Sequence, residues 1–350
     1  MLLAGYPGRR ITWFLIGISI AASQCAASDR YGDRLSGLSA ELLRPLAKRQ
    51  QPDNKGAMGR NRQAYVHVRF QMGLHQLADY ALMSQDLRAL QAFFRAAEYA
   101  MHHQQADGDF LVRLPAEMNR GQAVGIADRT SGVAFFMYSL GSAAMALESN
   151  QWFAESAELA VQRAQLASLK SQLPDTLTFL LHNRVILQQA DSLAPNRLLF
   201  NALAFYTLGH WLEDATALSV ADAFIEQALA QVHDDGYFIE AGGYDSSYNG
   251  VATALCYRLL LLGHPHPALP DVCAGALSWQ QTRLLPSGEI NAAGNSRVKA
   301  GGQGESFMGR QKDVDVGHTI EALMLAALYQ SNESLTQQAS QVLDYYLKKR

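Results

Sequence analysis

The sequence predicts an all-α fold, an α/α toroid of about six helical hairpins forming a single domain. Three observations point there. After residue 30, apolar residues recur at three- and four-residue spacing almost to the end of the chain, rich in Ala and Leu and poor in alternating β-branched runs. A polar-Gly-x-apolar punctuation closes three of the helical runs: Asp107-Gly108-Asp109-Phe110, Asp235-Gly236-Tyr237-Phe238 and Ser287-Gly288-Glu289-Ile290. No low-complexity linker or composition break divides the 350 residues, a length that by itself permits one or two domains.

The elements follow in order. Arg9 and Arg10 precede an apolar run from Ile11 to Ile20, and the small residues Ala21-Ala22-Ser23-Gln24-Cys25-Ala26-Ala27 come next. This is the pattern of a secretory signal peptide, so residues 1–27 are expected to be removed and the mature domain to span 28–350, in the periplasm or outside the cell. Helical windows then run 33–50, 60–82, 85–104, 129–148, 150–171, 173–190, 195–213, 215–233, 247–263, 267–285, 314–330 and 332–349. In the three punctuation sites the glycine suits a tight helix exit and the apolar residue pins the following loop to the core. Gly108 and Gly236 stand 128 residues apart, and Gly236 and Gly288 stand 52 apart. A hairpin period of roughly 50–65 residues fits both, longer than the roughly 34-residue short helical repeats, and suits hairpins closed into a ring.

In such a ring alternate helices line the inside, and the connections leading into them gather at one end. Inner helices are expected to begin near Asn61, Arg129, Asn196, Ser247 and Val314. The chain at these points is polar: Asn61-Arg62, Asp128-Arg129-Thr130, Asn196-Arg197, Tyr244 to Asn249, and Asp313-Val314-Asp315-Val316-Gly317-His318. Helix capping accounts for the Asp, Asn and Ser residues. It accounts poorly for Arg129 and Arg197, because a cation near a helix N-terminus opposes the macrodipole. An anionic partner explains them better. The densest lead-in is 235–250, with three tyrosines, three carboxylates and four glycines in sixteen residues. Loops carried on a rigid scaffold are where chemistry concentrates.

Helical hairpins joined by Asp-Gly-Tyr-Phe-x-Glu-x-Gly-Gly-x-Asp-x-Ser-Tyr resemble the α/α-toroid carbohydrate-active enzymes, the alginate-lyase-like and heparinase-like polysaccharide lyases and the uronyl glycoside hydrolases. The likeness is one of arrangement over most of the mature chain, and its motif-like part is 235–250. It implies an acidic, uronate-containing polysaccharide or oligosaccharide as partner. The lyases often carry an Asn-His element on an inner helix; the comparable place here reads Ala194-Pro195-Asn196-Arg197, without that His.

A lyase must stabilise charge on the C5 carboxylate, remove the C5 proton and protonate the leaving glycosidic oxygen. Asn196 with Arg197 or Arg129 are candidates for the first task. Tyr248, one position into an inner helix, is the first candidate for proton transfer, followed by Tyr244 and His318. Arg297 is placed to bind a neighbouring sugar carboxylate, with Asp128, Tyr237 and Asn249 as further substrate contacts. A second reading is a glycoside hydrolase, which needs two carboxyls about 5–5.5 Å or about 6.5–9.5 Å apart; Asp245, Glu240 and Asp128 are the candidates. A third is a non-catalytic glycan-binding protein of an exopolysaccharide system, using Tyr237, Trp211 or Trp279 as aromatic platforms.

Other signals narrow the class. Without residues 1–27 the chain has 27 basic against 32 acidic residues, a balance of about −5, which argues against nucleic acid as partner. No membrane partner is expected once the leader is gone. Cys256 and Cys273 fall on successive helices flanking the turn at Gly263-His264-Pro265-His266-Pro267, so a disulfide and a pair of buried thiols are both open. His102-His103 has no third ligand at metal spacing, and Gly301-Gly302-Gln303-Gly304 lacks a P-loop ending, so neither metal nor cofactor is expected. That glycine run reads as a flap near the cleft, carrying Glu305 and Lys312.

Overall fold

The computed structural model describes residues 31–115, 123–299, 304–307 and 310–348. The expected export segment, 1–27, and positions 301–303 of the glycine run lie outside them. Thirteen helices carry the fold: α1 Ala40–Arg49, α2 Leu74–Ser84, α3 Leu87–Met101, α4 Ile126–Glu148, α5 Ala160–Ser171, α6 Pro174–His182, α7 Arg184–Ala190, α8 Pro195–Leu212, α9 Ala215–Leu229, α10 Ser246–Leu261, α11 Leu269–Thr282, α12 Val316–Gln330 and α13 Glu333–Lys348. Single helical turns join several of them. The one sheet among the described residues is a small antiparallel hairpin, β1 Ser306–Phe307 on β2 Arg310–Gln311.

Five helices form the inner layer. In chain order α2 packs on α4, α4 on α8, α8 on α10 and α10 on α12. They are apolar around most of their circumference, as buried helices must be. Every residue of α10 is buried, and so is every residue of α4 from Thr130 to Leu147 except Met145. Helix α4 is long and apolar enough to cross a membrane by length and composition, but it lies buried inside the ring. The outer helices have one apolar face each. On α3 the solvent positions Arg88, Gln91, Arg95 and Glu98 recur at three- and four-residue spacing, opposite buried Leu90, Phe93, Phe94 and Ala97. Helix α3 packs on α2, α6 and α7 on α4, α9 on α8, α11 on α10 and α13 on α12, while α1 covers α2 and touches α13. The ring therefore has five inner helices with outer partners plus α1, where about six hairpins were expected.

The three punctuation sites fold alike. Each glycine has a left-handed backbone, φ 82° at Gly108, 95° at Gly236 and 89° at Gly288. The amides of Leu111, Ile239 and Asn291 each donate to the carbonyl eight residues earlier, at His103, Gln231 and Arg283. Phe110, Phe238 and Ile290 are buried beneath the loops, worth about 1.5–3 kcal/mol apiece. Each glycine also faces the backbone of the next outer segment: a Cβ would lie 2.0 Å from the Asp175 carbonyl oxygen at Gly108 and 2.2 Å from that of Gln341 at Gly288.

One expected boundary fails. The window 60–82 does not start a helix at Asn61; α2 begins at Leu74, after two short 3-10 turns. The buried Asn61 side chain holds the turn instead, accepting from the amides of Val66 and His67 and donating to the His67 carbonyl at 3.0 Å. An Asn engaged with nearby backbone competes with helix formation. Between α12 and α2 a buried ionic cluster joins the layer. The Arg258 guanidinium donates to Asp79 at 3.0 Å and to Glu321, and Glu321 also accepts from Gln76 at 3.0 Å. Cys256 and Cys273 are buried free thiols on α10 and α11.

Candidate functional site

The N-terminal turns of α8, α10 and α12 converge on one cavity of about 570 Å³, whose other walls are the 59–73 turns, α1 and the middle of α4. This is the arrangement expected of a ring whose inner helices start at a common end. Asp245 and Asp315 cap α10 and α12 from inside the chain: Asp245 accepts from the amides of Ser247 and Tyr248, and Asp315 from that of His318. Asn196, Arg197, Tyr248 and His318 all line the cavity.

Tyr248 has the densest network. Its hydroxyl donates to Glu305 at 2.8 Å and accepts from the Lys312 ammonium. The Arg297 guanidinium lies over its ring, 4.1 Å from the centroid. Arg297 in turn bridges Glu240 at 2.7 Å and Glu305 at 3.1 Å. Burial pushes the Tyr248 phenol well above its ordinary value; Arg297 opposes this and Glu305 adds to it. The resting group is a neutral phenol. Burial also works against Glu305, yet Lys312, Tyr248 and Arg297 together hold its carboxyl down at about 2. Burial lowers Lys312. The hairpin β1–β2 supplies this half of the site, since Glu305 and Lys312 flank it.

The opposite wall is cationic. Arg49, Arg62, Arg69 and Arg197 line it, Lys312 adds a cation from the Tyr248 side, and the aspartates of the cavity are Asp313 and Asp315. Arg69 stacks on Phe135 with its guanidinium carbon 4.2 Å from the ring centroid. Burial and the nearby Arg197 charge bring it down to about 10. His318 has Nδ1 2.9 Å from Asp315 Oδ2. Burial alone would lower it, but Asp315 raises it to about 9, so it is an imidazolium at neutral pH.

Several expected residues are elsewhere or already occupied. Asp245 is completely buried and accepts from the amides of Ser247, Tyr248, Arg297 and Val298, which leaves no carboxylate for catalysis. Glu240 is also fully buried; it takes the Asn196 amide at 3.2 Å and Arg297, and burial raises it to about 7. Its role is to tie the start of α8 to Arg297. Asn249 accepts from the Phe238 amide and donates to the Ala276 carbonyl and Gln280, all inside the core. Tyr237 and Tyr244 pack with Trp279 at centroid distances of 5.1 and 5.6 Å and do not line the cavity. Trp211 is buried and donates to Glu148. Asp128 is exposed and outside the cavity wall.

The arginines at helix starts also have an internal cause. Arg129 pairs with Asp109, and Arg197 pairs with Asp191 at 3.1 Å. Both acids are buried. The anion inferred from Arg129 and Arg197 is thus supplied by the chain itself, and Arg129 stays off the cavity wall. Arg197 does line it, held there by a buried carboxylate that also accepts from Asn201 at 2.9 Å. Arg69 lies in the 59–73 segment, which has helical periodicity but folds as turns that carry it to the cavity, and Arg49 comes to the wall from the end of α1. The arrangement can bind an anion along the cationic wall and move a proton at the Tyr248 hydroxyl.

No protein-family profile matches the sequence, and no curated protein matches it. Among solved structures, the chondroitin AC lyase of Streptomyces coelicolor A3, determined in complex with chondroitin sulphate, is similar over 91% of this chain with a TM-score of 0.51 and 11% identity. The match covers 44% of that chain, so this protein corresponds to less than half of the enzyme's length. A likeness at this identity is one of fold: the helical ring described above is shared with a polysaccharide lyase.

Proposed function

We propose that the protein is an exported polysaccharide lyase that binds an acidic, uronate-containing chain in the cationic cavity and cleaves it by β-elimination at Tyr248. The observation that carries this reading is the Tyr248 hydroxyl, set at the cavity wall between Lys312 and Glu305 with Arg297 over its ring. The two cations stabilise the phenolate, whose proton is released to solvent through the cavity before the sugar reacts, while Glu305 stays ionised and orders Arg297 and Lys312 around the hydroxyl. The phenolate takes the C5 proton of the bound uronate, and the re-formed phenol protonates the departing glycosidic oxygen. Electrons from the broken C–H bond become the new double bond as the C–O bond breaks. Arg197 and Arg69, on the same wall, stabilise the sugar carboxylate, where negative charge builds as the proton leaves.

The hydrolase reading draws less support. Of its carboxylates, Asp245 and Glu240 are sealed in the core and Asp128 is exposed and not part of the cavity wall. The fold shared with a chondroitin lyase is consistent with an acidic polysaccharide but does not choose it. A panel of uronate polymers followed by ultraviolet absorbance tests the proposal. New absorbance from an unsaturated uronate supports the lyase. Reducing ends without absorbance indicate hydrolysis, and binding without products indicates a glycan-binding protein.

A further inference from the structure

We infer that His318 and Asn196 form a uronate-recognition pair, with His318 Nε2–H donating to the sugar carboxylate and the Asn196 amide oxygen accepting from a hydroxyl of the same sugar. The inference rests on the proposed function and names the groups that select its substrate. His318 stands in the first turn of α12 and lines the cavity. Asp315 fixes the ring from both sides of the residue: its Oδ2 meets Nδ1 at 2.9 Å and its Oδ1 accepts the His318 backbone amide at 3.0 Å. With Nδ1 held, the other nitrogen is the only edge the ring can offer a ligand. That nitrogen is buried and has no hydrogen-bond partner among the described residues.

Asn196 matches it from the facing helix. Its side chain is 4% exposed as part of the residue, it lines the same cavity, and its amide oxygen is likewise buried without a partner among the described residues. Phe200 lies one helical turn beyond Asn196 on α8, and its ring meets the His318 ring edge-to-face at 5.9 Å between centroids. The helices that carry the two unsatisfied groups are therefore joined by a packed aromatic contact at the cavity both residues line. Buried polar groups are normally satisfied, and an orphan in a cavity points to a missing partner. Here the orphans are complementary: a charged donor and a neutral acceptor. A simple inorganic anion satisfies the first alone. A sugar acid, with a carboxylate and a neighbouring hydroxyl, satisfies both, and the adjacent Arg197 adds to the attraction.

The test uses the full chain with labelled histidine, observed by NMR while glucuronate, glucose or sodium sulfate is added. Glucuronate is expected to shift the His318 ring resonances, and glucose is not. His318→Gln and Asn196→Ala should each weaken glucuronate binding by roughly tenfold, the worth of one charge-assisted or well-aligned hydrogen bond. Sulfate binding should fall in His318→Gln and stay unchanged in Asn196→Ala. Glucuronate binding that leaves the His318 resonances unmoved overturns the pair while the acidic-sugar reading stands. Failure of the wild-type protein to bind glucuronate or any uronate oligomer overturns that reading and the pair with it.

Discussion

Tyr248 differs from the other tyrosines near it by what touches its oxygen. Tyr244 donates to a backbone carbonyl and belongs to an aromatic cluster on the far side of the loop, whereas Tyr248 sits between a carboxylate and an ammonium. Tyr248→Phe should lower turnover at least about a hundredfold, the usual loss when a proton-transfer group is removed. The melting temperature should barely move, because Glu305 and Lys312 still pair at 3.0 Å. Charge changes beside Tyr248 should act in opposite directions. Lys312→Ala removes a phenolate stabiliser and moves the limb of the pH–rate profile on which rate rises with pH up by about a unit, and Glu305→Gln moves it down. Shifts of the same sign would remove the tyrosine from the limb. His318 makes a separate prediction about stability. Its value is raised to about 9 in the folded state, against roughly 6.5 unfolded. Its stabilisation is complete below the unfolded value and lost as pH rises through the folded one. Wild type should lose on the order of 2 kcal/mol more than His318→Gln between those limits, read by denaturation at a series of pH values.

Among the elements, helix starts were legible and turns were not. Asp86, Asp214, Asp245 and Asp315 each cap a helix with their side chains, within a few residues of the expected boundaries. Capping is a local interaction, so the sequence carries it directly. The 59–73 segment has helical apolar spacing, but Asn61 and Gln71 commit their side chains to the surrounding backbone and hold it in turns. Those turns, which no periodicity marks, are what carry Arg69 to the cavity. The repeated glycine exit was readable as a pattern, but its reason is tertiary. Gly108→Ala should cost about 2–4 kcal/mol, since the left-handed backbone and the collision with Asp175 add. Gly242→Ala is the control: φ is 82° there too, but nothing lies within 4 Å of a new Cβ. It should cost about 1 kcal/mol. Equal costs, measured by chemical denaturation, would remove packing from the account of the repeat.

For the whole molecule, the ring was predictable from period and punctuation, but its closure was not. Arg258, Asp79 and Glu321 come from three helices far apart in sequence and meet only when the inner layer closes. Nothing local distinguishes these residues from surface charges. Arg258→Met should destabilise the fold by about 3–5 kcal/mol, because two buried carboxylates lose their cation; a loss below about 1 kcal/mol would show that the cluster does not hold the ring shut. The candidate site was half legible for the same reason. Residues at helix starts, Asn196, Arg197, Tyr248 and His318, were found. Those whose role is set by a distant partner, Asp245, Asn249 and Glu240, were assigned chemistry they do not have the exposure to perform. Elimination at the ring's cationic end is open to a mass-balance test. A uronate oligosaccharide is digested in heavy-oxygen water and the fragments are weighed by mass spectrometry. Elimination gives two fragments whose masses sum to the parent, one of them unsaturated, with no heavy oxygen in either. Fragments that together gain one water, with the heavy oxygen in one of them, would contradict it.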